Sequence, residues 1–294
     1  MAMKIITADQ RLATPQKVNI ILLGPSGVGK TTQARTLDPA TTLFIDLEAG
    51  TLAIQDWKGD VIDVRASALE LGVHPWEFAR AVACLLCGPD PADPSGPYSQ
   101  KAYDQYKQAL GDPAVLFGKY TQIFVDSITV ASRICFAWSQ TQPDAFSEKN
   151  GKPDTRGAYG LLGREMIRWL TTLQHIPGKS IIVVGILDKQ TDDLKRVSWE
   201  PQIEGSKTGR EMAGIFDQVI TLQNFTSDSG QQYRAFVTHQ DNPYGYPAKD
   251  RSGRLELIEE PNLGKLIHKI RTGPRRDGAL QLNVPAPTQT EEVK

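Results

Sequence analysis

The chain has 294 residues, 40% of them hydrophobic and 23% charged, enough to bury one sizeable core with a small insertion. Lys and Arg number 33 against 34 Asp and Glu, and the isoelectric point is near 6.4, so general polyanion binding is not its dominant property. No apolar run approaches the roughly 20 residues of a spanning helix, and Met1 to Gln16 lack the pattern of a secretory leader, so a soluble, cytoplasmic protein is expected.

In chain order, an N-terminal extension (1–16) leads to two short apolar runs, Val18 to Leu23 and Leu43 to Leu47, which read as buried parallel strands. Lys30 to Leu37 between them predicts a short helix. Ala66 to Gly88 has helical periodicity, and the Pro- and Gly-rich Gly88 to Pro97 ends it. Residues 66–120 are expected to form a helical insertion. Cys84, Cys87 and Cys135 cannot make a disulfide framework, and the single Cys-x-x-Cys lies in an apolar helical run, so core packing is expected of them.

Gln122 to Asp126 predicts a third buried strand, running into a helix over Ile128 to Ser139. Gln140 to Gly157 is polar and aperiodic and reads as a long mobile loop. A helix over Ala158 to Leu173 then leads to a strand over Ser180 to Leu187. Strands alternating with helices argue for an open, mostly parallel sheet. Further on, Gln218 to Leu222, Tyr233 to His239 and Leu255 to Ile258 read as strands extending that sheet in antiparallel fashion. The last residues, 272–294, have a composition that predicts disorder.

One motif carries chemistry. Gly24-Pro25-Ser26-Gly27-Val28-Gly29-Lys30-Thr31 matches G-x-x-x-x-G-K-[ST] in full, after an apolar strand and before a helix. Its glycines let backbone N–H groups face phosphate oxygens, and the following helix is expected to aim its positive end at the same charge. Lys30 is expected to reach the β- and γ-phosphates, Thr31 to bind Mg²⁺, and Thr32 to complete the ATP site. Asp126, at the end of an apolar strand, has the form of a Walker B carboxylate that holds Mg²⁺. Asp46 and Glu48 fall on one face near the end of their strand by alternation; Glu48 is the candidate general base for the attacking water.

In this order, the P-loop, the F-I-D-L-E segment, I-F-V-D-S and the I-I-V-V-G-I-L strand resemble the RecA-like ATPase core over roughly Val18 to Ile270. The match looks closest to the phage and prophage ATP-binding proteins of the RecA-like single-strand annealing group. The resemblance implies an α/β fold with a mostly parallel central sheet, flanking helices and antiparallel strands at the C-terminal end. It also implies Mg-ATP hydrolysis with Glu48 as catalytic glutamate, self-assembly into a ring or filament, and annealing or recombination of single-stranded DNA. By position, Asp188, Lys189 and Gln190 occupy the stretch that senses the γ-phosphate, although the family's usual Asn-Gln pair is absent. The DNA loops fall on Gln140 to Gly157, with Lys149, Lys152 and Arg156, and on Asp188 to Ser206, with Lys195, Arg196 and Trp199. Lys249 and Arg251 resemble the late basic motif that reaches a neighbour's nucleotide in trans; Lys207 and Arg210 are a second candidate pair. The tail offers a contact for a single-strand DNA-binding protein. Two other readings stay open: a P-loop kinase of a nucleotide or small metabolite, and a module in which ATP gates assembly without being hydrolysed.

Overall fold

The computed structural model describes residues 5–14, 16–147, 151–191, 195 and 197–276, without the side chains of 206–208 and 210. An exposed helix α1 (Ala8–Ala13) precedes β1 (Asn19–Gly24), β2 (Thr42–Asp46) and the edge strand β3 (Asp60–Asp63). Four helices follow, α2 (Val64–Leu71), α3 (Pro75–Cys87), α4 (Gln100–Leu110) and α5 (Pro113–Phe117). Then come β4 (Gln122–Asp126), α6 (Ile128–Ser139), α7 (Thr155–His175), β5 (Ser180–Thr191), β6 (Val197–Pro201) and α8 (Ser206–Ile215). The chain ends in β7 (Gln218–Thr226), β8 (Gln232–Val237), β9 (Lys249–Asp250), β10 (Ile258–Glu259) and α9 (Leu263–Thr272).

The main sheet runs β10-β8-β7-β1-β5-β4-β2-β3, with β6 on β5 and β9 on β7. Strands β1 to β5 pair in parallel, and β1, β2, β4 and the buried start of β5 are largely apolar because both faces of the sheet are covered there. Alternate residues of these strands enter two cores. On one face Ile21, Leu23, Ile123, Val125 and Val183 meet α3, α6 and α7; on the other Ile20, Leu22, Phe44, Phe124 and Val184 meet α9. Phe44 and Phe124 stack with centroids 5.1 Å apart.

Several expectations need adjustment. The 218–226 strand joins the sheet parallel to β1, and antiparallel pairing begins only with β8. The segment 66–120 is less an insertion than part of the core: α3 buries Trp76, Phe78, Val82 and Cys84 among residues of α6 and α7. Helix α3 is punctuated at both ends by its sequence, with Pro75 in the first turn after the cap His74 and Gly88 beyond the last. Arg80 inside it pairs with Glu165 at 2.9 Å and lies 4.3 Å from the Trp138 ring, so this buried charge is compensated. Cys84 and Cys135 are fully buried, and desolvation pushes the Cys84 thiol up to about 12, which makes it inert at neutral pH.

The described parts of 140–157 are ordered more tightly than a long loop. A 3₁₀ turn over Pro143–Ala145 and a bridge from Phe146 to Pro153 lead to Asp154, whose side chain caps α7. In the expected tail, Arg276 bonds the Gly253 and Leu255 carbonyls and pairs with Glu256; 277–294 lie outside the described residues. No helix among the described residues is long and apolar enough to cross a membrane.

Candidate nucleotide site

The P-loop leaves the carboxyl end of β1, where open α/β sheets hold their ligands. Gly24 is fixed by space: a Cβ there would stand 2.6 Å from the Leu222 carbonyl oxygen of β7. Gly27 and Gly29 have φ of 76° and 101°, values that favour glycine and turn the loop's N–H groups inward. Pro25 is half-buried, Ser26 exposed, and Val28 buried in the α9-side core.

The helix that follows is a 3₁₀ helix, Thr31–Thr36, which contains Thr32. Pro39 disfavours helical backbone at Asp38 and so ends it within two turns. The macrodipole of so short a helix is small, and anion affinity here rests on the loop N–H groups and Lys30. Lys30, almost fully buried, donates to the Gly24 and Pro25 carbonyls at 3.0 and 2.9 Å. Desolvation pulls its pKa below the ordinary lysine value, while Asp126 and Glu48 oppose that.

Two strands bring carboxylates beside this lysine. Register pairs Asp46 of β2 with Asp126 of β4, both 2% exposed. Thr31 Oγ1 donates to Asp126 Oδ2 at 2.6 Å, joining the P-loop to β4. Burial pushes the Asp126 carboxyl up to about 7, reinforced by Glu48 and Asp46 and opposed by the Thr31 hydrogen bond and Lys30. A hydroxyl and a carboxylate so placed are hard oxygen donors, the set that suits Mg²⁺.

Glu48 is not on the strand. β2 ends at Asp46, and Glu48 lies exposed in the turn beyond it. Asp46 Oδ1 accepts the Glu48 N–H at 2.9 Å and the Gly50 N–H at 3.4 Å, so the buried carboxylate shapes the turn rather than facing a ligand. Ala49 takes φ 60°, a left-handed conformation costing about 1 kcal/mol, of the sort that collects at functional turns. The side chain is aimed from the other strand: Ser127 Oγ donates to Glu48 Oε1 in a short contact. Ser127, which also caps α6, was not singled out from the sequence; a serine between an apolar strand and a helix is a cap signal that marks it.

Other candidates lie apart from this cluster. Asp188, Lys189 and Gln190 belong to β5, with Lys189 opposite Trp199 of β6. Lys249 and Arg251 are at the far end of the sheet: Lys249 pairs with Val219, which is level with Ile21, three residues or about 10 Å below Gly24. There Lys249 Nζ donates to the Ala213 carbonyl and Arg251 pairs with Asp217 at 2.8 Å. Lys152 and Arg156 are exposed, and Lys195 has φ 61°. Lys149 and Arg196 lie outside the described residues, as do the side chains of Lys207 and Arg210. Trp199 packs on Tyr246 at 5.0 Å, and Tyr244, Phe225 and Tyr233 continue the row. Nothing in the spacing of these residues announces the row.

Residues 16–252 match the AAA domain family, well over half of the chain. The chain belongs to that family. It is therefore an ATP-binding P-loop domain, on a mostly parallel sheet with antiparallel strands added. No curated protein sequence matches it. Among solved structures it is similar to the flagellar accessory protein FlaH from Methanocaldococcus jannaschii, at 11% identity and TM-score 0.35, over 82% of this chain and 87% of that one. The RadB recombinase gives 14%, 0.32, 84% and 92%. A prototypical ATPase from the type III secretion system of pathogenic bacteria gives 14%, 0.37, 87% and 60%.

Proposed function

We propose that this AAA domain hydrolyses Mg-ATP in the cytoplasm and couples hydrolysis to self-assembly, as a ring or filament, on single-stranded DNA that it anneals or recombines, in the manner of phage-type annealing proteins. The observation that carries the hydrolytic part is a pair of hydrogen bonds at the end of β4: Thr31 of the P-loop to Asp126, and Ser127, the next residue, to Glu48 in the turn after β2. Thr31 and Asp126 are the residues that would hold Mg²⁺, which when bound offsets negative charge on the phosphate oxygens.

The P-loop N–H groups and Lys30 bind the phosphates, Lys30 exchanging its two carbonyl partners for phosphate oxygens. Glu48, exposed yet held by Ser127, takes the proton of the attacking water. A carboxylate so placed favours water over a larger acceptor, which counts against a kinase. Lys249 or Arg251 of a neighbouring subunit supplies charge to the transferring phosphoryl group after releasing Ala213 or Asp217. Asp188, Lys189 and Gln190 remain the candidates for sensing the γ-phosphate.

Support for DNA is the chemistry of exposed side chains. Exposed Lys152, Arg156 and Lys195 offer phosphate contacts, and Tyr233 and Tyr244, each more than two-fifths exposed, extend the row begun by Trp199 as stacking faces. The test is ATP turnover with and without single-stranded DNA, with Lys30→Ala as the blank. Stimulation by DNA supports the coupling. Turnover indifferent to DNA removes the DNA reading and leaves the ATPase; no turnover above the blank favours the module that ATP gates without hydrolysis.

A further inference from the structure

β8 runs antiparallel to β7 with Arg234 opposite Asn224. Because Gly24 approaches Leu222, Asn224 stands two residues past the end of β1, and Arg234 is level with the phosphate loop. Its guanidinium crosses to that loop. A Cβ built on Gly29 would lie 3.0 Å from Arg234 Nη1 and 3.7 Å from Cζ, and the same point is 4.0 Å from Thr32 Oγ1. Arg234 is exposed, and among the described residues no carboxylate pairs with it.

Lys30 is already balanced by Asp126 and Glu48, whereas the exposed Arg234 beside the loop gains a charged partner only when an anion binds there. The loop's own ligand is that anion, and a guanidinium fork matches phosphate oxygens in two bonds at once. Its place fixes which phosphate. Arg234 approaches the Gly29 and Thr32 side, where the backbone of a P-loop cradles the α- and β-phosphates, whereas the lysine reaches the β- and γ-phosphates.

We propose that Arg234 is a nucleotide-binding residue acting in its own subunit, on the phosphates that stay with the product. This rests on the reading of the P-loop as the ATP site. Contact with phosphates common to ATP and ADP is uniform binding: it strengthens both complexes equally and does not lower the chemical barrier. The position also gives Gly29 a second reason to be glycine, since a side chain there would displace the guanidinium.

The experiment compares ATP and ADP affinities of wild type, Lys30→Ala, Arg234→Ala and Arg234→Lys by calorimetry, with steady-state turnover beside them. Arg234→Ala is expected to weaken both nucleotides by the same factor, about ten- to a hundredfold, the usual worth of a charge-assisted contact. KM should rise by a similar factor with kcat within twofold, and Arg234→Lys should recover part of the loss. Thermal unfolding checks that the exposed substitution leaves the fold intact. A wild type that binds both nucleotides while Arg234→Ala binds them as well overturns this proposal alone. Weakening confined to ATP overturns the assignment to shared phosphates. A wild type that binds neither nucleotide overturns the site reading and this proposal with it.

Discussion

At the carboxyl end of β1, β2 and β4 the charged groups are inside: Lys30, Asp46 and Asp126 are each 9% exposed or less, and burial moves all three away from their ordinary pKa values. At the opposite end of β7, Arg251 and Asp217 form a pair that keeps 58% and 29% of its side-chain surface in water. An exposed pair costs little to form and little to exchange for another partner. Buried charges facing one another cost folding energy, and a site retains them when a ligand repays the cost. The difference separates a nucleotide end built in advance from an edge whose cations can change partners.

The largest expected effect sharpens the first half of that contrast. Asp126→Asn should cut turnover at least about a hundredfold, since it removes the carboxylate charge proposed to hold Mg²⁺. Stability should move the other way. Burial lifts the folded carboxyl to about 7 from its ordinary 3.8, so between those pH values the folded state holds a proton that the unfolded state has released. Stability of the metal-free protein therefore falls as pH rises from about 4 to 7, by a few kcal/mol at roughly 1.4 kcal/mol per pH unit. Asn carries no such proton, so the variant's unfolding temperature should exceed wild type at pH 8 and the gap should close near pH 4. A gap independent of pH contradicts the burial argument.

A smaller effect is expected from Ser127→Ala, which frees the Glu48 side chain without removing it. Turnover should fall about tenfold with KM unchanged, together with about 1 kcal/mol of stability for the lost α6 cap. A change in KM alone would show that Ser127 does not act through Glu48. The smallest concerns the exposed edge. Arg251→Ala should cost under about 1 kcal/mol of stability and leave ATP affinity unaltered. If the residue acts in trans, mixing it with Lys30→Ala should raise turnover above the sum of the two variants measured alone; no complementation would return Arg251 to a surface role.

Much of the nucleotide end is legible in the sequence because its signals are local. The P-loop is contiguous, and the flanking strands are apolar runs because both faces of a parallel sheet are covered. The exposed β3 and the hairpin strand β6 carry no such run, so nothing marks them as strands. Parallel pairing of β7 with β1 joins segments some two hundred residues apart, which no local pattern encodes. Strand alternation misplaces Glu48 because β2 ends two residues earlier, where Asp46 turns its carboxylate onto the backbone. Arg234 belongs to no motif, and its approach to Gly29 exists only after β8 has folded onto β7.

Glu48 is proposed to activate water at a nucleotide site formed without its help. The most direct measurement is ATP turnover of wild type and Glu48→Gln under the same conditions, with ATP affinity measured in parallel. Loss of turnover by about a hundredfold or more, with affinity within a few-fold of wild type, is the expected result. Equal turnover in the two proteins, above the Lys30→Ala blank, would contradict it.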